Sequence, residues 1–175
     1  MISTKMKEMV EQSAALSAMF TEGKRLAEIY GAENVYDFGI GNPNVPAPET
    51  VRSAAMDLLQ HTDVLQLHSY TDSSGIPAVR KAIADSLNRR FGKAYTEQNL
   101  IMTVGAAGGL NVICKTLLDV GEEILTFAPY FGEYRSYTNN YDGVLVEISP
   151  DTETFQPRLQ EFEQKITPKT KAVIV

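Results

Sequence analysis

The residues best placed to do chemistry are Gly105-Ala106-Ala107-Gly108-Gly109, five small residues between an apolar run and a helical pattern. Small residues let the main chain approach a ligand, and the first amides of a helix have no carbonyl behind them. With the helix dipole they make an anion site worth about 0.3–1 kcal/mol per charge when exposed and up to about 2 when partly buried. A phosphate group is the natural occupant. Two common phosphate loops do not match. The nucleotide-triphosphate loop closes on Gly-Lys-Ser/Thr, whereas this turn continues as Gly109-Leu110-Asn111. The dinucleotide fingerprint misfits the glycine spacing and needs an acidic residue closing the next strand, where Phe127-Ala128-Pro129 stands. Taken alone, the turn serves tight helix–sheet packing equally well.

Two more segments carry useful side chains. Pro129-Tyr130-Phe131-Gly132-Glu133-Tyr134 follows the next strand, so its aromatics are expected on the rim of the glycine turn. An aromatic there can stack on a flat ring, or simply pack in a core or interface. The polar loop from His68 to Gly75 opens a helix, and its Tyr70 offers a hydroxyl that can reach a phosphate or merely face solvent.

These segments need elements to hold them. A helical pattern runs from about Glu11 to Tyr30 and stops at Gly31, where a helix end is expected. Val35–Phe38 reads as a short strand. Pro43, Pro46 and Pro48 then form a stiff connector, taken as a subdomain boundary. Val51, Ala54, Ala55 and Leu58 mark a helix, and Ile76, Val79, Ile83 and Leu87 another with Pro77 in its first turn. Leu100–Val104 reads as a buried strand, followed by a helix carrying Leu110, Ile113, Cys114 and Leu117. Strands at 123–127, 144–148 and 172–175 alternate with helices near 132–139 and 159–166. Such alternation implies an α/β, three-layer α/β/α architecture with a mainly parallel sheet. The last strand reaches Val175 without the loop that ligand sites in such sheets use, so the fold is expected to continue beyond it.

Bulk properties narrow the function. Apolar residues make up 43% and charged residues 22%, ordinary for a globular chain. The net charge of −6 argues against a nucleic-acid face, which needs clustered Lys and Arg. No uninterrupted apolar stretch is long enough to cross a bilayer, so no membrane partner is expected. The single cysteine, Cys114, lies on an apolar stripe and reads as a core residue in a reducing cytoplasm. His61 and His68 lack partners at metal spacing, and no metal is expected. Asp119, Glu122 and Glu123 flank Gly121 and read as a solvated turn.

In their order and spacing, four landmarks together resemble the class I/II, aspartate-aminotransferase-like group of pyridoxal-phosphate enzymes. They are Gly39-Ile40-Gly41-Asn42-Pro43; Tyr70 with Gly75-Ile76-Pro77 and Arg80; Thr103-Val104-Gly105-Ala106-Ala107; and Ala128-Pro129-Tyr130-Phe131. The resemblance runs from about Ala14 onward. It implies an N-terminal arm and small-domain segment over 1–47 and, over 48–175, the front of an incomplete cofactor-binding large domain. It further implies that Gly41 meets the substrate carboxylate, that Gly105, Ala106 and Ala107 cradle the phosphate of pyridoxal 5'-phosphate, and that Phe131 stacks on its pyridine ring. Tyr70 would reach the cofactor phosphate of the neighbouring subunit in a homodimer. The small-molecule partners would be an amino acid and a 2-oxo acid.

Two departures stand out. Family members often carry Trp where Phe131 stands, and many carry a polar side chain where this chain has Ala106 and Ala107. The family's Schiff-base lysine, its aspartate for the pyridine nitrogen and its arginine for the substrate carboxylate have no counterparts here. Lys115 lies beyond the first turn of its helix, and Lys169 and Lys171 lie at the wrong end of a strand. The resemblance therefore implies an N-terminal piece with a partial cofactor site and no catalytic residue, inactive alone. A non-catalytic phosphate-binding module and a purely structural one are the alternatives.

Overall fold

The computed structural model describes residues 2–36, 38, 41 and 43–175, with the backbone alone for 12–17, 19 and 20. The chain divides into two compact units, Met1–Ser69 and Tyr70–Val175.

In the first unit, α1 spans Thr4–Tyr30, starting well before Glu11. Ser3 sets that start, its hydroxyl accepting the Met6 amide at 3.2 Å. Gly31 ends the helix as expected, its amide donating to the Ala27 carbonyl. Past the prolines, α2 spans Glu49–His61 and α3 spans Val64–Leu67. Asp63 caps α3, accepting the amides of Leu65 and Gln66 at 3.0 and 3.1 Å. Val35, Tyr36 and Phe38 are irregular rather than a strand, and Asp37 lies outside the described residues. A strand exists only by pairing, and among the described residues nothing pairs there. No described side chain of this unit is buried.

The second unit contains the sheet. β1 (Glu123–Phe127) lies between β2 (Val144–Ile148) and β3 (Thr170–Ile174), parallel to both. Ile124 is in register with Leu145 and Ala172, so these share one face with Thr126 and Ile174. Leu125 and Phe127 point to the other. Ile124, Leu125 and Thr126 are all buried, so both faces of β1 are covered. On the first face, α5 (Gly105–Leu117) brings Cys114 and α6 (Glu133–Asn139) brings Tyr134 and Tyr137 against Ile124 and Leu145. On the second, Phe162 of α7 (Leu159–Lys165) lies 5.5 Å from the Phe127 ring. The three-layer α/β/α arrangement with a parallel sheet is therefore present, and Cys114 is the core residue expected.

Leu100–Val104 departs from expectation. It is irregular, with Ile101 67% and Val104 95% exposed, because no strand of the described sheet reaches it. The helix after it begins at Gly105, so the glycine turn is the helix's own first turn. The acids around Gly121 are likewise not merely solvated. Glu122 pairs with Lys171 at 2.9 Å, and Glu123 accepts the hydroxyls of Thr167 and Thr170, tying β1 to the chain entering β3.

Arg80 is the main polar anchor of this unit. It sits on α4 (Pro77–Phe91), which has Pro77 in its first turn as expected. Its guanidinium, 9% exposed, donates to the carbonyls of Gly75 at 3.1 Å, Glu97 at 2.5 Å and Leu100 at 3.4 Å. A planar fork suits three acceptors in a way an ammonium does not. Arg80→Ala strands these carbonyls, so urea unfolding is expected to show a loss of about 2–3 kcal/mol, with Arg80→Lys recovering less than half.

Candidate functional site

The site is built on the rim where β1 and β2 end. The later half of α5 at Cys114, and Leu118 just past its end, pack on the first residues of β1 and β2. α5 therefore runs antiparallel to the strands, and its first turn points at their carboxyl ends. α6 runs the same way. Thr138 near its end is fully buried beside Leu118 under Gly143, and Asn140 donates to the Asn111 side chain at 2.8 Å. At 1.5 Å per residue, Gly105 and Gly132 lie about 9 and about 12 Å back from that tie. The glycine turn and the Phe131 loop thus share one rim, the position in which open α/β sheets hold ligands.

The first turn of α5 is open to an anion. It has no side-chain cap and no acidic residue. Gly105 has φ +69 with open space where a side chain would project, so its requirement for glycine comes from backbone conformation. Its own amide already donates to the Thr103 carbonyl at 3.0 Å, and the Thr103 hydroxyl donates to the Gly105 carbonyl at 3.0 Å. The donors left over are the next amides, at Ala106 and Ala107, which have no carbonyl one turn behind them.

Phe131 is half exposed, with its ring edge-on to Tyr134 at 5.9 Å. Tyr134 in turn stacks with Tyr130 at 6.3 Å. Tyr70 is fully exposed and has no hydrogen bond among the described residues. Its loop is nonetheless anchored. The Gly75 amide donates to Asp72 at 2.8 Å, and the Met102 amide donates to Ser74 at 2.9 Å. Gly75, at φ +96, packs so close to Met102 that a Cβ would lie 2.4 Å from its side chain. The Tyr70 loop is thereby stapled to the segment that enters Gly105. Gly41 belongs to the other unit and is exposed, while Gly39, Ile40 and Asn42 of its landmark lie outside the described residues.

One cluster escaped sequence reasoning. The Tyr130 hydroxyl donates to Glu147 at 2.5 Å, and Arg135 donates to the Tyr130 oxygen at 2.7 Å and pairs with Glu147. Burial first, then the hydrogen bond to Glu147, pushes the Tyr130 hydroxyl above the ordinary phenol value. A signal did exist: Glu147 stands on the face of β2 that carries Leu145, where a carboxylate needs a partner.

The loop after β2 completes the rim. A small cleft of about 180 Å³ separates Ala128-Pro129 from Ser149–Pro157. Its one carboxylate, Asp151, is already bonded to the amides of Glu153 and Thr154. Among the described residues no cluster could hold a metal, and no helix is long and apolar enough to cross a membrane.

A family model, aminotransferase class I and II, matches residues 33–175. The chain belongs to that family. This aminotransferase-family chain is 32% identical to the aspartate/prephenate aminotransferase of Thermus thermophilus, over 77% of its own length and 34% of the relative's. It is 32% identical to the aspartate aminotransferase of Thermotoga maritima, over 90% and 41% respectively. A crystal structure of an aminotransferase from Eubacterium rectale superposes with a TM-score of 0.89 at 38% identity, covering all of this chain and 44% of that one. The chain thus spans a third to about two-fifths of the curated relatives it matches.

The residues on the rim suit the family's cofactor, pyridoxal phosphate, in kind: open amides for an anion and a half-exposed ring for a flat heterocycle.

The loop after β2 is held by Glu161, which accepts the Ser149 amide and hydroxyl at 3.0 and 2.9 Å and pairs with Lys165 at 2.7 Å. Lys165, then the Ser149 amide, holds its carboxyl down to about 2, from an ordinary 4.5. A depressed folded-state pKa contributes stability above the unfolded value that is lost as pH falls through the folded one. Urea midpoints of the wild type should therefore fall between pH 4.5 and about 2, and Glu161→Gln should flatten that part of the profile.

Proposed function

We propose that the chain forms part of a pyridoxal-phosphate-dependent aminotransferase, which moves an amino group between an amino acid and a 2-oxo acid. Within it, residues 1–175 supply phosphate and ring supports for the cofactor. The observation that most supports this is the uncapped first turn of α5 on the same rim as the half-exposed Phe131 ring. In this reading the amides of Ala106 and Ala107 hold the phosphate, and Gly105 sets the backbone that aims them. Because neither alanine adds a side-chain donor, the dipole and main chain carry the interaction. Phe131 lies against the pyridine ring. Gly41 meets the substrate carboxylate through its main chain.

The bound cofactor supplies an electron sink for charge developing at the substrate α-carbon, while the protein binds and orients. Tyr70 projects freely and suits a reach to the phosphate of a neighbouring subunit, so the working form is a homodimer. The buried Cys114 thiol suits a reducing compartment such as the cytoplasm. Lys165 reaches the end of β2, but its amine is committed to the Glu147 carbonyl at 2.5 Å and to Glu161 at 2.7 Å. With no lysine among the described residues free to serve as the family's catalytic amine, residues 1–175 alone bind cofactor non-covalently and transfer no amino group.

Titrating purified chain with pyridoxal phosphate, followed by visible absorbance, is expected to show weak saturable binding. Gly105→Val should weaken it at least tenfold, because a β-branched residue resists φ +69. A flat titration would leave a structural module instead. Amino-group transfer from aspartate to 2-oxoglutarate by residues 1–175 would overturn the inactivity. Tyr70→Phe should cost about tenfold in cofactor affinity, in the range of one hydrogen bond to a charged group, and only under conditions where sedimentation shows a dimer.

A further inference from the structure

Phe131 has no polar group of its own to fix its ring, and its side chain is half exposed. An exposed ring on a loop is free to turn unless its neighbours hold it. Its neighbour is Tyr134, met edge-on at 5.9 Å, and Tyr134 lies parallel to Tyr130 with an interplanar angle of 11°. Tyr130 therefore sits one ring removed from Phe131. Unlike the other two it is tied to a strand: its hydroxyl donates to Glu147 of β2 at 2.5 Å, and Arg135 of α6 bonds both partners. The tie joins three separate elements, the loop after β1, the strand β2 and the helix α6. Glu147 is the residue before the end of β2, in register with Thr126 near the end of β1, so the anchor stands at the rim itself.

We propose that Glu147, Tyr130 and Arg135 form a positioning device for Phe131, holding its ring as a fixed platform at the cofactor site. The order of transmission is Glu147 to the Tyr130 hydroxyl, Tyr130 to Tyr134 by ring stacking, and Tyr134 to the edge of Phe131. Arg135 neutralises Glu147 and keeps its oxygen turned to the phenol. The Phe131 platform rests on the proposed function; the order in the rings does not.

The test keeps these separate. In the full 175-residue chain, 4-fluorophenylalanine at position 131 gives a fluorine resonance that reports ring order without any ligand. One dispersed line is expected in the wild type. Tyr130→Phe, which keeps the stacked ring and removes only the hydroxyl, should shift that line toward the free amino acid, and Glu147→Ala should do the same. Glu147→Gln, which retains an acceptor, should restore most of the dispersion. In unlabelled protein, pyridoxal phosphate affinity should fall about three- to tenfold in Tyr130→Phe, the share a well-oriented ring contact carries. Affinity for inorganic phosphate, which needs only the α5 amides, should stay unchanged. A resonance identical in wild type and Tyr130→Phe would overturn the device. So would equal losses of phosphate and pyridoxal phosphate affinity, since that marks general loosening of the fold. If the wild type binds no pyridoxal phosphate yet the resonance responds to both variants, the proposed function fails and the tie stands.

Discussion

Burial of β1 on both faces is the constraint from which the second unit follows. Ile124 and Thr126 look one way and Leu125 the other, and all three are sealed from water. A strand in that position needs cover on each side, and here parallel neighbours reached by helical crossovers put helices over both faces. α5 and α6 fill one side and Phe162 of α7 contacts the other. Since both helices lie antiparallel to the strands, their first turns meet at the carboxyl rim. The location of the candidate site is a consequence of covering β1.

Around that rim the polar groups divide into those that hold backbone and those left open. Arg80 serves three carbonyls, Glu161 serves Ser149, and Asp151 serves two amides. Each closes the ends of irregular segments that would otherwise carry unpaired groups. The first turn of α5 receives no such service, although Thr103 stands beside it with a hydroxyl turned to the Gly105 carbonyl. α4, α6 and α7 also start without a side-chain cap, but α6 and α7 carry Glu133 and Glu161 in their first turns. α5 carries no acid there, so an anion at its start is accommodated at small cost.

The first unit contrasts with this. Its helices are sound as helices, capped by Ser3 and Asp63, yet no described side chain is buried and Leu58, Leu59 and Leu65 face solvent. Local signals suffice to form such helices, but their apolar faces find no core within the described residues. Leu100–Val104 shows the same effect for a strand. Its composition suits a buried strand, yet among the described residues its one main-chain bond to a distant segment is the Met102 amide to Ser74.

By itself the sequence determined what depends on neighbours in the chain. Alternating patterns placed β1, β2 and the helices between them, Gly31 and Pro77 marked helix ends, and the spacing of small residues marked Gly105–Gly109. It also carried the four landmarks that led to the family. Contacts between distant segments were decided only by the tertiary structure. Folding revealed that the Gly105 amide is already bonded and that Arg80 ties three carbonyls. It also brought Tyr130, Arg135 and Glu147 together at the rim. The reason is physical: periodicity reports which face a residue turns to the core, whereas a hydrogen bond depends on which groups other elements bring within about 3 Å of it.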